Sequence, residues 1–331
     1  MDITYFYRSL KCGISIKKVF NTLTSEIIKT KEINEIYAPA HRADPISVIR
    51  NIWFVFKNRN KKGINHVTGD IHYCLLGLIG CKSVLTFHDT SSLDEAKHPI
   101  KRILMKLIWY KLPLLIANKV VCISEHTRQQ ILKLTNRKDI KVIYNSVDPS
   151  FQFNDKPFRK EQPVILQIGT AWNKNLLNTI KALTNINCHF VIVGEIDNEI
   201  QNILKQLAIS FTNKNSLTDQ EIIQEYKNCD IVSFCSLYEG FGMPIIEANA
   251  IGRAVITSSI PPMNEVATAA ACLVDPTSIA SIQKGFLKII TKDKFRESII
   301  SNGKENINKF EVSFIAKQYL NLYAKVNPIE I

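Results

Sequence analysis

The chain alternates short apolar runs with longer segments in which apolar residues recur three and four positions apart. The first pattern is typical of buried strands and the second of amphipathic helices. We predict strands over 2–7, 36–38, 64–68, 83–89, 119–124, 163–168, 189–193, 208–211, 230–235, 253–258 and 271–274. Because strands and helices alternate throughout, the expected fold class is α/β, with doubly wound parallel sheets.

The alternation occurs both before and after a polar segment at 149–162, which contains Pro149 and Pro157 and is interpreted as a linker. A chain of 331 residues is long enough for two domains. We therefore predict a Rossmann-like N-terminal domain over 1–157 and a second Rossmann-like domain over 158–311, facing each other across a cleft. A last helix within 312–331 is expected to pack back onto the N-terminal domain.

The net charge of +12 belongs entirely to the first half of the chain. Residues 1–157 carry 25 Lys and Arg against 13 Asp and Glu, whereas residues 158–331 carry 17 of each kind. A one-sided positive field suits an anionic partner, such as acidic lipid, nucleic acid or a phosphorylated substrate. The alternative is a lysine-rich solvated surface with no specific partner.

Residues 98–111 combine basic and apolar side chains with a Trp, which suits a helix lying in the plane of a membrane interface. The basic residues are Lys101, Arg102, Lys106 and Lys111. The alternative is an ordinary helix packed on a sheet with a lysine-rich outer face. We adopt the first interpretation and predict an anionic membrane surface as a partner.

Cysteine usage and the lengths of the apolar stretches indicate the compartment. The chain contains eight cysteines, none in a Cys-x-x-Cys pair. Its longest apolar stretch, 112–123, is interrupted by Asn118 and Lys119 and is too short to span a bilayer. These features predict reduced core thiols in a cytoplasmic protein. Together with the basic segment 98–111, they lead us to expect a protein that is peripheral to the inner face of the plasma membrane.

The segment after the predicted strand 230–235 holds Glu239 and Glu247 on either side of a Gly-Phe-Gly-Met-Pro sequence. Pro244 suits the first position of a helix, so Glu239 lies in the strand-to-helix turn and Glu247 about one turn into the helix. Open α/β sheets bind ligands at this carboxyl edge, and glycines let a ligand approach the backbone donors of the turn. The pattern predicts a site for a polyhydroxylated, phosphorylated molecule.

Further candidates follow other predicted strands. His88 and Asp89 end the strand over 83–89, and Ser124 ends the next one. Lys174 precedes a helix and suits a diphosphate, although a lysine in such a loop is otherwise a common surface residue. Neither half has Gly-x-Gly-x-x-Gly after its first strand, which argues against a nicotinamide or flavin cofactor. No Asp-x-Asp pair exists to hold a metal on a sugar nucleotide, so we expect no metal site.

The sequence from Glu239 to Glu247 resembles the Glu-x₇-Glu signature of the retaining family 4 glycosyltransferases, which have the GT-B fold. The intervening Gly-Phe-Gly-Met-Pro makes the match specific. The resemblance extends over nearly the whole chain, at 86–89, 121–125, 142–148, 174–175, 258–266 and 274–276. Residues 65–73 are similar to a subgroup of bacterial cell-surface polysaccharide transferases.

The resemblance implies a nucleotide diphosphate sugar as donor, no further cofactor, and retention at the anomeric carbon. Glu239 would stabilise the charge developing on the donor sugar, Lys174 would hold the diphosphate, and Glu247 would bind the ribose hydroxyls. His88 would reach the transferred sugar from the N-terminal domain. The other donor-binding residues would be Gly13, Thr170, Asn175, Gly240, Phe241 and Gly242, and the acceptor side would include Asp89 and Ser124.

Three positions depart from the family pattern. Thr170 stands where an Arg is frequent after the Gly of the phosphate loop, so Lys174 has one positive charge fewer beside it. Asn145-Ser146 replaces a common Asn-Gly, and Cys12-Gly13 replaces two glycines. The last two change loop geometry only, whereas the missing Arg weakens the phosphate assignment.

The sequence therefore predicts a metal-independent glycosyltransferase that moves a hexose-type sugar to a glycan or lipid-linked acceptor. The predicted process is cell-surface polysaccharide or lipopolysaccharide biosynthesis, with no nucleic-acid partner. One alternative is another GT-B enzyme, such as a sugar-nucleotide epimerase or a phosphorylase. The other alternative is a non-catalytic protein whose basic half binds an anionic polymer or a membrane.

Overall fold

The computed structural model describes residues 2–12, 15–95 and 98–328, which divide into two compact units. Unit 1 comprises the described residues up to 146 and those from 311, and unit 2 comprises 147–310. Each unit is built on a six-stranded sheet whose strand pairs are all parallel. The α/β class predicted from the alternation of strands and helices is confirmed.

The strands of unit 1 are β1 (Ile3–Tyr7), β2 (Ile33–Tyr37), β3 (Ile64–Val67), β4 (Ser83–Phe87), β5 (Lys119–Cys122) and β6 (Ile140–Val142). They pair in the order β2-β1-β3-β4-β5-β6. The helices before residue 147 are α1 (Ser15–Ile27), α2 (Pro45–Asn58), α3 (Ser91–Glu95), α4 (Pro99–Met105), α5 (Leu112–Ile116) and α6 (Glu125–Leu132). A π-helix, Lys106–Lys111, joins α4 to α5, and His72–Leu78 is a 3₁₀ helix.

Helices cover both faces of the unit 1 sheet, as expected for parallel strands. All residues of β1, β3 and β4 are buried. On one face, α2, the 3₁₀ helix and α5 contribute Val55, Leu75 and Leu114 to an apolar cluster with the sheet. Because side chains of a strand alternate between faces, Tyr5 and Tyr7 point to the opposite face, where Phe20 of α1 packs.

The strands of unit 2 are β7 (Val164–Ile168), β8 (His189–Val193), β9 (Ser210–Lys214), β10 (Ile231–Phe234), β11 (Ala254–Ser258) and β12 (Cys272–Val274), in the order β12-β11-β10-β7-β8-β9. Its helices are α7 (Leu176–Ala182), α8 (Asn198–Gln206), α9 (Asp219–Asn228), α10 (Met243–Ile251), α11 (Met263–Ala267), α12 (Ile279–Thr291) and α13 (Asp293–Asn306). The strand predicted over 208–211 begins later, at Ser210, because Ala208 has a left-handed backbone (φ 50°) in the turn after α8.

The segment 149–162, predicted to be a linker, is packed on unit 2. Lys156 and Arg159 bind the buried carboxylate of Asp230 at 2.6 and 2.8 Å, and the ring of Phe151 lies 5.3 Å from that of Tyr226. These contacts fasten the segment beside β10. The division between the units therefore falls after Ser146 rather than after residue 157.

Unit 1 is completed by the last helix, α14 (Val312–Val326). It packs against α1 and places Tyr319 and Tyr323 in the same cluster as Phe20. Tyr323 Oη lies 2.9 Å from Tyr5 Oη and 2.7 Å from His66 Nδ1. Burial lowers the pKa of His66 to about 3, so the imidazole of this network is neutral at physiological pH.

The apolar runs of the sequence are accounted for by these cores. Among the described residues, no helix combines the length and apolar character needed to cross a bilayer.

All eight cysteines are free thiols, and six of them are buried. Burial raises the pKa of Cys229 and Cys235 to about 12, which keeps both thiols protonated.

Candidate active site

The carboxyl end of β10 leads through a turn at 235–242 into α10. Gly242, at the start of this helix, has a φ of 122°, a conformation that residues with side chains rarely adopt. Met243 is the first helical residue and Pro244 the second, so the proline stands one position later than predicted. Glu239 lies in the turn and Glu247 within the helix, at the sheet edge where such folds bind ligands.

Glu239 and Lys174 form an ion pair, with 2.6 Å between Oε1 and Nζ. The two side chains are 14% and 23% exposed, respectively. Asn173 Nδ2 donates to the same oxygen of Glu239 at 3.2 Å and to the Tyr238 carbonyl at 2.9 Å. Two residues predicted separately are thus brought together, and Asn173 joins them without having been predicted.

The loop after β7 is shaped around the Lys174 side chain. Gly169 has a φ of 91°, and a Cβ there would lie 3.2 Å from both Cγ and Cε of Lys174. The glycine therefore gives the lysine stem room to pass, and the ammonium group ends 5.1 Å from the centroid of the Phe234 ring. Thr170 lies beside Gly194, where a Cβ would be 3.0 Å from Thr170 Cγ2.

Asn175, predicted to bind the donor, is buried and directs its amide into the protein. Its Nδ2 donates to the carbonyls of Cys235 and Pro276 at 2.9 and 2.7 Å. Its backbone is left-handed, with a φ of 58°. Asn175 therefore fixes the Lys174 loop against the end of β10, a role that follows from contacts far away in sequence.

Glu247 accepts a hydrogen bond from a tyrosine that the sequence analysis did not single out. Tyr226 Oη, on α9, lies 2.5 Å from Glu247 Oε2. Burial, reinforced by the Glu247 charge, raises the pKa of Tyr226 well above its ordinary value, so the phenol remains a donor. No local signal distinguishes Tyr226 from other buried aromatic residues on a helix.

The remaining residues of the turn before α10 are structural as well as candidate ligand contacts. Phe241 is buried, and its ring packs edge-on against Phe310 with 5.9 Å between centroids. Gly240 precedes it in the turn. The packing of Phe241 anchors the backbone from which donation to a ligand was predicted.

In unit 1, His88 follows β4 and is held by the neighbouring strand end. Its Nε2 lies 2.7 Å from the carbonyl oxygen of Thr68, which only accepts, so Nε2 carries the hydrogen. Burial lowers the pKa of His88 below its ordinary value, against the opposing effect of the Asp70 carboxylate. A Cβ at Gly69 would lie 2.5 Å from His88 Cδ2, so this glycine leaves space for the ring.

An ion pair between Arg8 and Asp70 lies at the carboxyl ends of the adjacent strands β1 and β3. The sequence analysis missed both residues. Asp70 has a left-handed backbone with a φ of 57°, and backbone strain of this kind is concentrated at functional sites. The available signal was the polar Gly69-Asp70 pair directly after a buried strand.

The two residues assigned to the acceptor side take part in starting helices. Asp89 Oδ1 accepts from Ser91 N and Oγ, at 2.9 and 2.7 Å. Ser124 Oγ accepts from Thr127 N at 3.1 Å and caps α6. Gly13, assigned to the donor, lies outside the described residues.

The charged groups of unit 2 suit an anionic, hydroxyl-bearing ligand. A lysine and a glutamate meet at the end of β10, and a second glutamate lies on the following helix. Within the described part of the chain, no group of three or more His, Cys, Asp and Glu side chains is placed to hold a metal ion.

Comparison with known families matches both halves of the molecule. Residues 148–306 match the family described as Glycosyl transferases group 1, and residues 32–151 match Glycosyltransferase Family 4. The chain belongs to the group 1 glycosyltransferases. The two matches meet close to residue 147, so the units of this group 1 glycosyltransferase correspond to the two family regions.

Curated relatives resemble this group 1 glycosyltransferase at low identity. The O-antigen chain mannosyltransferase B of Escherichia coli is 23% identical over 267 residues, which cover 73% of this chain and 70% of that protein. An uncharacterized glycosyltransferase of Methanocaldococcus jannaschii is 27% identical over 236 residues, which cover 62% of this chain and 59% of that protein. The N,N'-diacetylbacillosaminyl-diphospho-undecaprenol alpha-1,3-N-acetylgalactosaminyltransferase of Campylobacter jejuni is 26% identical over 175 residues, with 50% and 46% covered. The chain thus spans less than two thirds of the last two relatives.

Solved structures share the fold over nearly the whole chain. Sucrose-phosphate synthase from Thermosynechococcus elongatus superposes with a TM-score of 0.80 at 14% identity, covering 98% of this chain and 99% of that one. Anabaena HepE, solved in complex with UDP-glucose, superposes with a TM-score of 0.76 at 16% identity, covering 98% of this chain and 100% of that one. The GT-B fold predicted for this group 1 glycosyltransferase is therefore confirmed.

Proposed function

We propose that the protein is a retaining glycosyltransferase that moves a hexose-type sugar from a nucleotide diphosphate sugar to a glycan or lipid-linked acceptor. The observation that carries the proposal is the contact between Lys174 and Glu239 at the end of β10. A cation beside a carboxylate suits a substrate in which an anionic diphosphate is attached to an electron-poor sugar carbon. The names of the relatives support this class of donor and acceptor.

In the proposed reaction, an acceptor hydroxyl attacks the anomeric carbon while the bond from that carbon to the diphosphate oxygen breaks. The hydroxyl proton passes to the departing phosphate oxygen, and attack and departure occur on the same face. Lys174 neutralises charge on the leaving diphosphate, and Glu239 stabilises positive charge on the sugar. We assign Glu247 to the ribose hydroxyls, His88 to the transferred sugar, and the backbone around Phe241 to the sugar and diphosphate.

The proposal requires no divalent cation, because Lys174 supplies the charge that a metal would otherwise supply to the diphosphate. The sequence contains no Asp-x-Asp pair to hold such a metal. We therefore expect sugar transfer in the presence of a chelator to proceed at the same rate as transfer with added Mg²⁺ or Mn²⁺.

A panel of UDP-, GDP- and dTDP-sugars tests the donor assignment. One donor class is expected to raise the temperature of unfolding. At a concentration 100 times its Kd, that donor should increase the free energy of unfolding by about 2.7 kcal/mol. The labelled donor should survive incubation without an acceptor, apart from slow hydrolysis. Conversion of the sugar to its epimer would instead support an epimerase, and absence of protection by every donor would support a non-catalytic binding protein.

We also propose that the protein works at the cytoplasmic face of the plasma membrane and binds anionic lipid through residues 98–111. Lys101, Arg102, Lys106 and Lys111 are all exposed. So are the apolar side chains of Ile100, Ile103, Leu104 and Leu107. Basic residues beside an exposed apolar stripe are the features with which helices bind anionic membrane surfaces.

Helix α2 adds a second exposed apolar stripe that the sequence analysis did not use. Its members are Ile46, Ile49, Trp53 and Phe56, of which Ile46 is 80% exposed. Lys57 lies 5.1 Å from the Trp53 ring and Arg59 lies 3.6 Å from the Phe56 ring. Helix α2, helix α4 and the π-helix all contribute side chains to one apolar cluster with the unit 1 sheet, so both stripes lie on helices that cover the same face of that sheet.

Vesicle co-sedimentation tests the membrane proposal. Vesicles of phosphatidylcholine with phosphatidylglycerol are expected to bind the protein at low salt, with binding falling as salt rises. The pair of substitutions Lys101→Glu and Arg102→Glu should reduce binding. Leu287→Ser, at an apolar position of unit 2 that is as exposed as Leu107, should not. Equal binding to neutral and anionic vesicles, or none to either, would contradict an electrostatic membrane contact.

A further inference from the structure

Tyr226 is joined to a residue that the proposed function places against the donor nucleotide. We propose that Tyr226 is a positioning residue that holds the Glu247 carboxylate in the orientation needed to bind the ribose hydroxyls. The inference rests on the proposed function, because that function assigns Glu247 to the ribose. Tyr226 itself is not placed in contact with the substrate.

The bond between the two side chains is short and involves a charge. Tyr226 Oη donates to Glu247 Oε2 over 2.5 Å. Hydrogen bonds from a hydroxyl to a carboxylate are about twice as strong as bonds between neutral groups and have O–O distances of about 2.5–2.7 Å. The contact therefore favours one orientation of the Glu247 side chain on α10.

The phenol can impose this orientation because its own position is fixed. Tyr226 is fully buried, and its ring meets the Phe151 ring edge-on at 5.3 Å. Its carbonyl oxygen accepts from Arg253 Nε at 3.1 Å and from Cys229 Sγ at 3.3 Å. Backbone and ring are thus held from separate directions.

Glutamate loses side-chain entropy when it is ordered by a ligand, and a bond made before binding removes part of that loss. A carboxylate accepts about four hydrogen bonds, so the bond from Tyr226 still leaves acceptor capacity for a pair of ribose hydroxyls. Because burial raises the pKa of Tyr226, the phenol stays protonated near neutral pH and can donate to Glu247.

The test compares UDP and GDP with their 2′,3′-dideoxy counterparts, which lack both ribose hydroxyls. Tyr226→Phe removes a single oxygen and keeps the ring packing, so the variant is expected to fold. It should weaken binding of the ribonucleotide that the native protein prefers by about tenfold. It should leave the affinity for the dideoxy counterpart within about twofold. In transfer assays KM for the donor should rise while kcat stays nearly constant.

A double-mutant cycle with Glu247→Ala separates this inference from the proposed function. If Tyr226 acts through Glu247, adding Tyr226→Phe to Glu247→Ala produces no further loss of nucleotide affinity. Tyr5→Phe is the matched control, since it removes another buried phenol bond of 2.9 Å and should leave nucleotide binding unchanged.

Three results would overturn the inference. If Glu247→Ala lowers preference for the ribonucleotide but Tyr226→Phe does not, only the role of Tyr226 is lost. If Tyr226→Phe weakens ribonucleotide and dideoxynucleotide equally, its effect is general rather than directed at the ribose. If the native protein does not distinguish the two nucleotides, the ribose assignment of Glu247 fails, and the inference fails with it.

Discussion

Lys174→Ala is expected to lower kcat for sugar transfer by about 10²- to 10³-fold, because the variant loses the cation that stabilises the departing diphosphate. Glu239→Ala should reduce transfer comparably, since it removes the carboxylate that we propose stabilises positive charge on the sugar. That carboxylate lies 2.6 Å from the Lys174 ammonium group. The measurement is the initial rate with saturating donor, using the donor identified by thermal protection.

The folding of both variants is expected to be intact. A partly exposed ion pair of this kind contributes about 1 kcal/mol or less to stability, so the unfolding temperature should change little. Lys181→Ala removes an exposed lysine from the last turn of α7, the helix that follows this loop, and serves as the matched control. Full transfer activity in Lys174→Ala or Glu239→Ala would contradict the assignment of the site.

Arg253→Met is expected to destabilise unit 2 by about 3 kcal/mol or more. Arg253 is buried and donates to carbonyl oxygens of Tyr226, Lys227 and Asn154 at 3.1, 2.8 and 2.8 Å. Methionine fills part of the volume but donates no hydrogen bond, so these buried carbonyl oxygens lose their partner. Hydrogen exchange at the end of α9 should accelerate, and the unfolding temperature of unit 2 should fall by about 6 °C or more.

Lys205→Met provides the comparison for Arg253→Met, because it replaces an exposed cation on α8 with the same side chain. It should leave both exchange and unfolding temperature nearly unchanged. If Arg253→Met behaved like Lys205→Met, the hydrogen bonds of Arg253 would not hold α9 in place.

The fold could be predicted well from the sequence, because both sheets are built from short apolar strands. Each strand can be recognised from its own consecutive residues, without knowledge of distant contacts. Glu239, Glu247 and Lys174 could also be selected as candidates from local sequence, since each stands at or near a strand-to-helix turn. The contact between Lys174 and Glu239 was not predicted, because the two residues come from separate strand ends and only the pairing of β7 with β10 brings them together.

Errors arose where distant partners decide the structure. The segment 149–162 has the prolines and polar residues of a linker, but Asp230 binds Lys156 and Arg159 and draws the segment onto unit 2. Tyr226 was missed for the same reason, since no local motif marks it. The Arg8–Asp70 pair was missed although Gly69-Asp70 follows a buried strand, because only the pairing of β1 with β3 brings the two residues together. The partners of all three residues lie on other elements of the same unit.

The return of α14 to unit 1 has a consequence for synthesis on the ribosome. Unit 2 is one continuous stretch, whereas unit 1 needs residues from both before and after it. Until α14 emerges, Tyr5 and His66 lack the Tyr323 hydroxyl that bonds to both in the finished protein. The nascent chain can therefore complete unit 2 first, while unit 1, although translated earlier, must wait for the last helix to close its core.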